Sequence, residues 1–145
     1  MRVDFYHLTR HPLDRVLPML AEKTVAGGER MVIVAEEAAL RERLDSALWS
    51  YRAESFLPHG VAGEGADAVQ PVLIAADVTD ANGARSIALA DSVWRDSALS
   101  FDRIFFLFDE SSIAPARDAW RNLAGKEELE RHYWRQGERG WEQVA

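Results

Sequence analysis

Among its 145 residues the chain has no cysteine. No disulfide can staple it and no thiolate can hold zinc or attack a substrate, so an intracellular, cytoplasmic setting is the expectation. Long apolar runs are missing too. Nothing approaches the roughly 20 residues that a membrane-spanning helix needs, and the opening MRVDFYHLTR lacks the apolar stretch of a secretory signal. Positive charge is in deficit, with 17 Lys and Arg against 24 Asp and Glu for a formal charge of -7. Broad contact with nucleic acid phosphates or an anionic membrane is therefore disfavoured, and DNA binding would need a local basic patch. Repeats, low-complexity tracts and long linkers are also absent. A chain of this length buries about two-thirds of its unfolded surface, so residues 1–145 are expected to form one domain without staples.

What is present is an alternation of short apolar runs with helical spacing. Val3 to Leu8 reads as a strand, with Phe5 and Tyr6 as good strand formers. Pro12 then opens a helix in which Leu13, Val16, Leu17, Leu20, Ala21 and Thr24 keep helical spacing, closed by Gly27 and Gly28. Pro18 lies inside that pattern, so either the helix kinks there or its regular part begins near Val16. MVIVA at 31–35 and PVLIA at 71–75 are continuous apolar runs of the kind covered on both faces, as is Ile104 to Phe108, with Ser86 to Leu89 a shorter strand. Helices are expected from Glu36 to Trp49, and from a Ser111 or Ser112 cap to about Gly125 with Pro115 in the first turn. Leu129 to Gln136 and Gly140 to Val144 suit a terminal hairpin around Gly137, with a helix for the first piece as the alternative. Strands alternating with helices predict a three-layer αβα domain, Rossmann-like, with a largely parallel or mixed sheet.

Such a sheet invites a nucleotide, but the glycine-rich turn that holds phosphate is missing. Glu36 and Glu37 stand between the second strand and its helix and would repel an anion there. Gly60, Gly63 and Gly65 are followed by no Lys-Ser/Thr pair, and Glu64 and Asp67 add negative charge. His7, His11, His59 and His132 show no ligand pair at helical spacing, so no metal site is expected. No G-x-S-x-G elbow occurs, and Ser50, Ser55, Ser111 and Ser112 fall in caps or loops. His59 with Glu64 as orienting partner has no nucleophile to serve. No catalytic residue, cofactor or metal is expected; the rival is a diverged small α/β nucleotide-binding protein or hydrolase.

Apolar groups stand where no core pattern asks for them in the stretch LDSALWSYRAESFLPHGVAGEG, which begins at Leu44. Leu40, Leu44, Ala47 and Leu48 make one buried helix face. Trp49 projects from the opposite side, near Glu42 and Asp45, if the helix is intact there; otherwise the helix ends earlier and the ring folds into the core. Phe56, Leu57 and Pro58 follow at once, and an exposed aromatic cluster of this kind marks a contact surface.

A second unusual neighbourhood lies on the last helix, where Ile113, Ala116, Ala119, Trp120 and Leu123 form one face and Arg117 and Arg121 line its margin. Trp120 sits on the border. An aromatic ring edged by guanidinium groups suits a ligand with an apolar anchor and carboxylates. Residues 113–139 hold six basic side chains against five acidic ones, in an otherwise acidic chain. The plainer alternative is a solvated face whose arginines pair with Asp118, Glu127 or Glu128.

With these residues in view, the chain resembles the chi subunit of bacterial DNA polymerase III. LDSALW, ESFLPH and AGEG followed by PVLIA are similar to that family's L-D-x-A-L-W, E-S-F-x-P-H and A-G-E-G with a strand beginning in proline. The resemblance implies an α/β fold without a nucleotide site, and a non-catalytic adaptor of the clamp-loader assembly in DNA replication. One surface would bind the psi subunit, with Trp49, Phe56 and Pro58 on that side. Another would take the acidic, phenylalanine-ended C-terminal tail of the single-stranded DNA-binding protein, with Arg117, Trp120, Arg121 and, on the preceding strand, Phe106. A helicase-like partner suits the same aromatic surface as psi. No strong direct nucleic-acid contact, membrane contact or cofactor is implied, and no role attaches to the segment from Lys126 onward.

Overall fold

The apolar runs become strands and the spaced apolar faces become helices, in an order that alternates almost throughout. The computed structural model describes residues 1–51 and 58–145. In chain order these are β1 (Arg2–His7), α1 (Leu13–Ala26), β2 (Met31–Val34), α2 (Ala38–Ser50), β3 (Gly60–Val61), β4 (Val72–Ala75), β5 (Ser86–Leu89), β6 (Arg103–Phe108), α3 (Ile113–Asn122), β7 (Glu130–Gly137) and β8 (Gly140–Gln143). The strands form a sheet in the order β3-β4-β2-β5-β6-β1-β7-β8. Neighbours run parallel up to β7, and β8 returns antiparallel to it.

Two apolar layers flank the sheet, making the expected three-layer α/β arrangement. On one face Leu17 and Leu20 of α1 and Leu44 and Leu48 of α2 pack on Met31, Ile33 and Ile74. On the other, Ala116 and Ala119 of α3, with Leu123 just after it, cover Val3, Phe5, Ile104 and Phe106. Burying side chains on both faces of a parallel sheet explains why β2, β4 and β5 are buried at every residue.

Helix α1 runs unbroken through Pro18, which is buried. The lost backbone donor leaves the Asp14 carbonyl without its usual helical partner, yet the proline ring gains apolar packing. After Gly27 the chain turns through Gly28 at φ +82°, and the Glu29 N–H donates back to the Thr24 carbonyl at 3.0 Å. A left-handed residue at this point favours glycine.

Three elements, α2, α3 and β3, depart from the expectations. Helix α2 begins at Ala38, leaving Glu36 and Glu37 outside it, and continues past Trp49 to Ser50. Ser112 stands at the N-cap of α3 as expected but makes no side-chain cap bond there, and the short turn before the helix is capped by Asp109. Its carboxylate accepts from the Ser111 N–H while the Ser112 hydroxyl accepts from the Asp109 N–H, and the hydroxyl and amide donors of Ser111 hold the Asp109 carboxyl below its ordinary pKa. Helix α3 stops at Asn122, short of Gly125. The short edge strand β3 escaped notice because two residues show no periodicity. The aromatic piece after Leu129 is a strand, since its parallel register with β1 sends alternate side chains to opposite faces.

Candidate docking surfaces

On the outer side of α2, Trp49 is 55% exposed. Its ring lies 4.5 Å from that of His59. His59 is buried and hydrogen-bonded through Nε2 to Asp45 Oδ1 at 2.8 Å, so its partner is Asp45 one helical turn before Trp49, not Glu64. The helix is thus intact at Trp49 and the ring does not fold into the core. Pro58 is half-buried beside this pair. Phe56 and Leu57 lie outside the described residues.

On the far side of the sheet, α3 and β7 build a second surface. Trp120 meets Phe5 edge to face at 5.3 Å and Tyr133 at 5.9 Å, so two strands seat one helix side chain. The Arg131 guanidinium lies 4.0 Å over the Trp120 ring and donates to the Trp120 carbonyl at the end of the helix. In the parallel register Arg131, Tyr133 and Arg135 stand beside Val3, Phe5 and His7, which puts all three on the α3 side of the sheet. Burial pushes the Tyr133 phenol above its ordinary pKa. The positive charge of Arg117 works against that rise, Glu110 adds to it and Arg135 opposes it, which brings these three charges into the vicinity of one ring.

Arg117 and Trp120 therefore share a surface with side chains that no helical spacing could reveal. Arg121 is exposed and 3.8 Å from Asp118. Phe106 requires a correction: it has no accessible surface, being packed between Phe5 at 5.1 Å and Trp94 at 6.0 Å, so it supports the layer below and cannot itself touch a partner. Tyr133 and Arg131 were missed because they lie in a segment assigned no role. Their alternation with Trp134 and Gln136 was the available signal.

At the carboxyl ends of the strands a cavity remains, but the amides that could hold a phosphate there are taken up by the protein's own groups. Three consecutive amides after β1, those of Thr9, Arg10 and His11, donate to the Gln136 side-chain oxygen at 2.9, 2.8 and 3.0 Å. At the next strand-to-helix turn the Glu36 N–H donates to Asp91 Oδ2 at 3.0 Å. Burial alone would raise the Asp91 carboxyl, but the Arg95 and Glu36 hydrogen bonds outweigh it and hold the pKa low, so a negative charge already fills this position. A nucleotide phosphate would have to displace both. Among the described residues no group of three His, Cys, Asp or Glu is placed to hold a metal ion, and no helix is long and apolar enough to cross a membrane.

The family described as "DNA polymerase III chi subunit, HolC" matches residues 1–130. The chain belongs to that family. It is 30% identical over 112 residues to DNA polymerase III subunit chi of Escherichia coli, covering 75% of this chain and 76% of that protein. Against DNA polymerase III subunit chi of Pseudomonas aeruginosa it is 41% identical over 70 residues, 46% of this chain and 49% of the relative. Probable DNA polymerase III subunit chi of Rickettsia prowazekii is 26% identical over 84 residues. For this chi-family chain the matched stretch ends where β7 begins, so Arg131, Tyr133 and Arg135 lie beyond it. The α3 residues Arg117, Trp120 and Arg121 lie within it.

Proposed function

We propose that this chi-family protein is a non-catalytic accessory subunit of a DNA polymerase III assembly, a single domain working in replication by holding two polypeptides at once. Trp49 and Pro58, with Phe56, form the side for psi. Arg117, Trp120 and Arg121 take the acidic C-terminal tail of the single-stranded DNA-binding protein. The observation that carries this reading is the guanidinium-edged aromatic surface of α3 in a protein of net charge -7. Cations next to a half-buried tryptophan supply an apolar seat and charge-assisted donors for carboxylates. The Trp49 surface lies on α2, across the sheet from α3, so the geometry favours joint occupancy over competition.

The test is a titration of the tail peptide into the protein, alone and saturated with psi. Equal affinity in the two titrations supports a bridge, whereas loss of tail binding on adding psi would mean one shared surface. A thermal-shift screen with nucleotides addresses the rival class: stabilisation by a nucleotide but not by the tail peptide would overturn the adaptor reading.

A further inference from the structure

We propose that β7 adds a second carboxylate subsite to the tail-binding surface, formed by Arg135 with the Tyr133 hydroxyl, which takes an acidic residue upstream of the peptide's terminal apolar group. The inference rests on the tail-binding reading, but its residues fall outside the stretch that matches the family and come from the register of β7 alone. Alternate residues of a strand project from one face about 6.6–7 Å apart, so Arg131, Tyr133 and Arg135 form a straight row. An extended peptide repeats its side chains at that same spacing, and a run of acidic residues offers carboxylates in step with the row.

The members of the row have different tasks. Arg131 is committed to Trp120, stacking on its ring and bonding its carbonyl, and acts as a positioning residue. Arg135 is more than half exposed, and its carboxylate neighbour, Glu142 on β8, stands 3.8 Å away across the hairpin. Such an exposed, long pair contributes little and yields readily to a better-placed acceptor. Tyr133 packs against Trp120 of the helix and precedes Arg135 by two residues on the same strand face, with the Arg117 charge also felt at its phenol. A phenol hydroxyl, protonated at neutral pH, can donate to an arriving carboxylate. Anions near this face include Glu110, Glu142 and Asp118, and the Ala145 carbonyl oxygen accepts from the Tyr133 N–H at 3.0 Å. Glu142 is the intramolecular competitor, and removing its charge should free Arg135.

Two synthetic peptides test this, one with a terminal phenylalanine preceded by four aspartates and one preceded by a single aspartate. The parent should bind the longer acidic peptide more tightly. Arg135→Ala should weaken that peptide about tenfold, the scale of one charge-assisted bond, and leave the shorter one unchanged. Glu142→Gln should tighten the longer peptide, and Tyr133→Phe should weaken it while keeping the ring that supports Trp120. Arg117→Ala should weaken both. If Arg135→Ala weakens both peptides equally or neither, the subsite is overturned while the tail site stands. If the parent binds neither peptide, the tail reading fails and the subsite with it.

Discussion

The side-chain oxygen of Gln136 lies 2.8 Å from the backbone nitrogen of Arg10, 126 positions earlier in the chain. The same oxygen accepts from Thr9 and His11, and the Gln136 carbonyl accepts from the Thr9 hydroxyl at 3.0 Å. A carbonyl oxygen has thereby replaced an anion in a concave set of amides, and it ties the terminal hairpin to the loop between β1 and α1.

Removing that acceptor leaves three amides of an exposed loop to water. Gln136→Ala is expected to lower stability by about 1 kcal/mol, the net value of a typical intramolecular hydrogen bond, because the freed amides reach solvent. Urea unfolding would register a lower midpoint with an unchanged slope. An unchanged midpoint would show that water satisfies the loop equally well.

On the α3 surface, Arg117→Ala is expected to weaken an acidic tail peptide by roughly 1–3 kcal/mol, with less loss at high salt. Arg121→Ala is expected to act in the same direction, since its exposed 3.8 Å pair with Asp118 holds it only weakly. Titration calorimetry at two ionic strengths measures both. Parent-like affinity in the Arg117 variant would remove the assignment of this site.

Trp49→Ala deletes an exposed ring whose neighbour His59 keeps its bond to Asp45. Stability should fall by no more than about 1 kcal/mol, in line with surface positions, while co-purification with psi is lost and tail binding remains. Loss of both partners together would point to unfolding instead.

Burial, and then the nearby Asp4 carboxylate, push the Tyr6 phenol up to about 12 from its ordinary value of 10.0. Between those two pH values the unfolded chain has lost this proton while the folded chain retains it, so the folded state binds more protons and stability falls as pH rises. The contribution is fully present below the unfolded value of 10.0 and gone above about 12, a loss of about 2–3 kcal/mol. Tyr6→Phe should flatten that alkaline descent in denaturation curves recorded across this range. Parallel curves for the two proteins would exclude Tyr6 as the cause.

Much of the sheet was legible because fully buried parallel strands must be apolar throughout. MVIVA, PVLIA and IFFLF sit at β2, β4 and β6 within a residue of their expected ends. Trp49 was legible for a related reason: in an intact helix its angle from Leu44 and Leu48 sends it away from the core. Helix starts were read less well. Ser112 does hold the N-cap position of α3, but the side-chain capping bonds are made one short turn earlier by Asp109, a carboxylate three residues upstream.

The amino-acid order by itself determined the layer architecture, the absence of a phosphate-binding turn and the family, since each follows from local pattern and short-range spacing. Only the tertiary structure decided that Phe106 is sealed beneath Phe5 and Trp94, that Arg131 and Tyr133 join Trp120, and that Gln136 fills the first turn. Those three outcomes depend on β1 pairing with β6 on one side and β7 on the other, and on α3 crossing above them. Side chains more than a hundred positions apart become neighbours through sheet register, a long-range choice to which no local periodicity is sensitive.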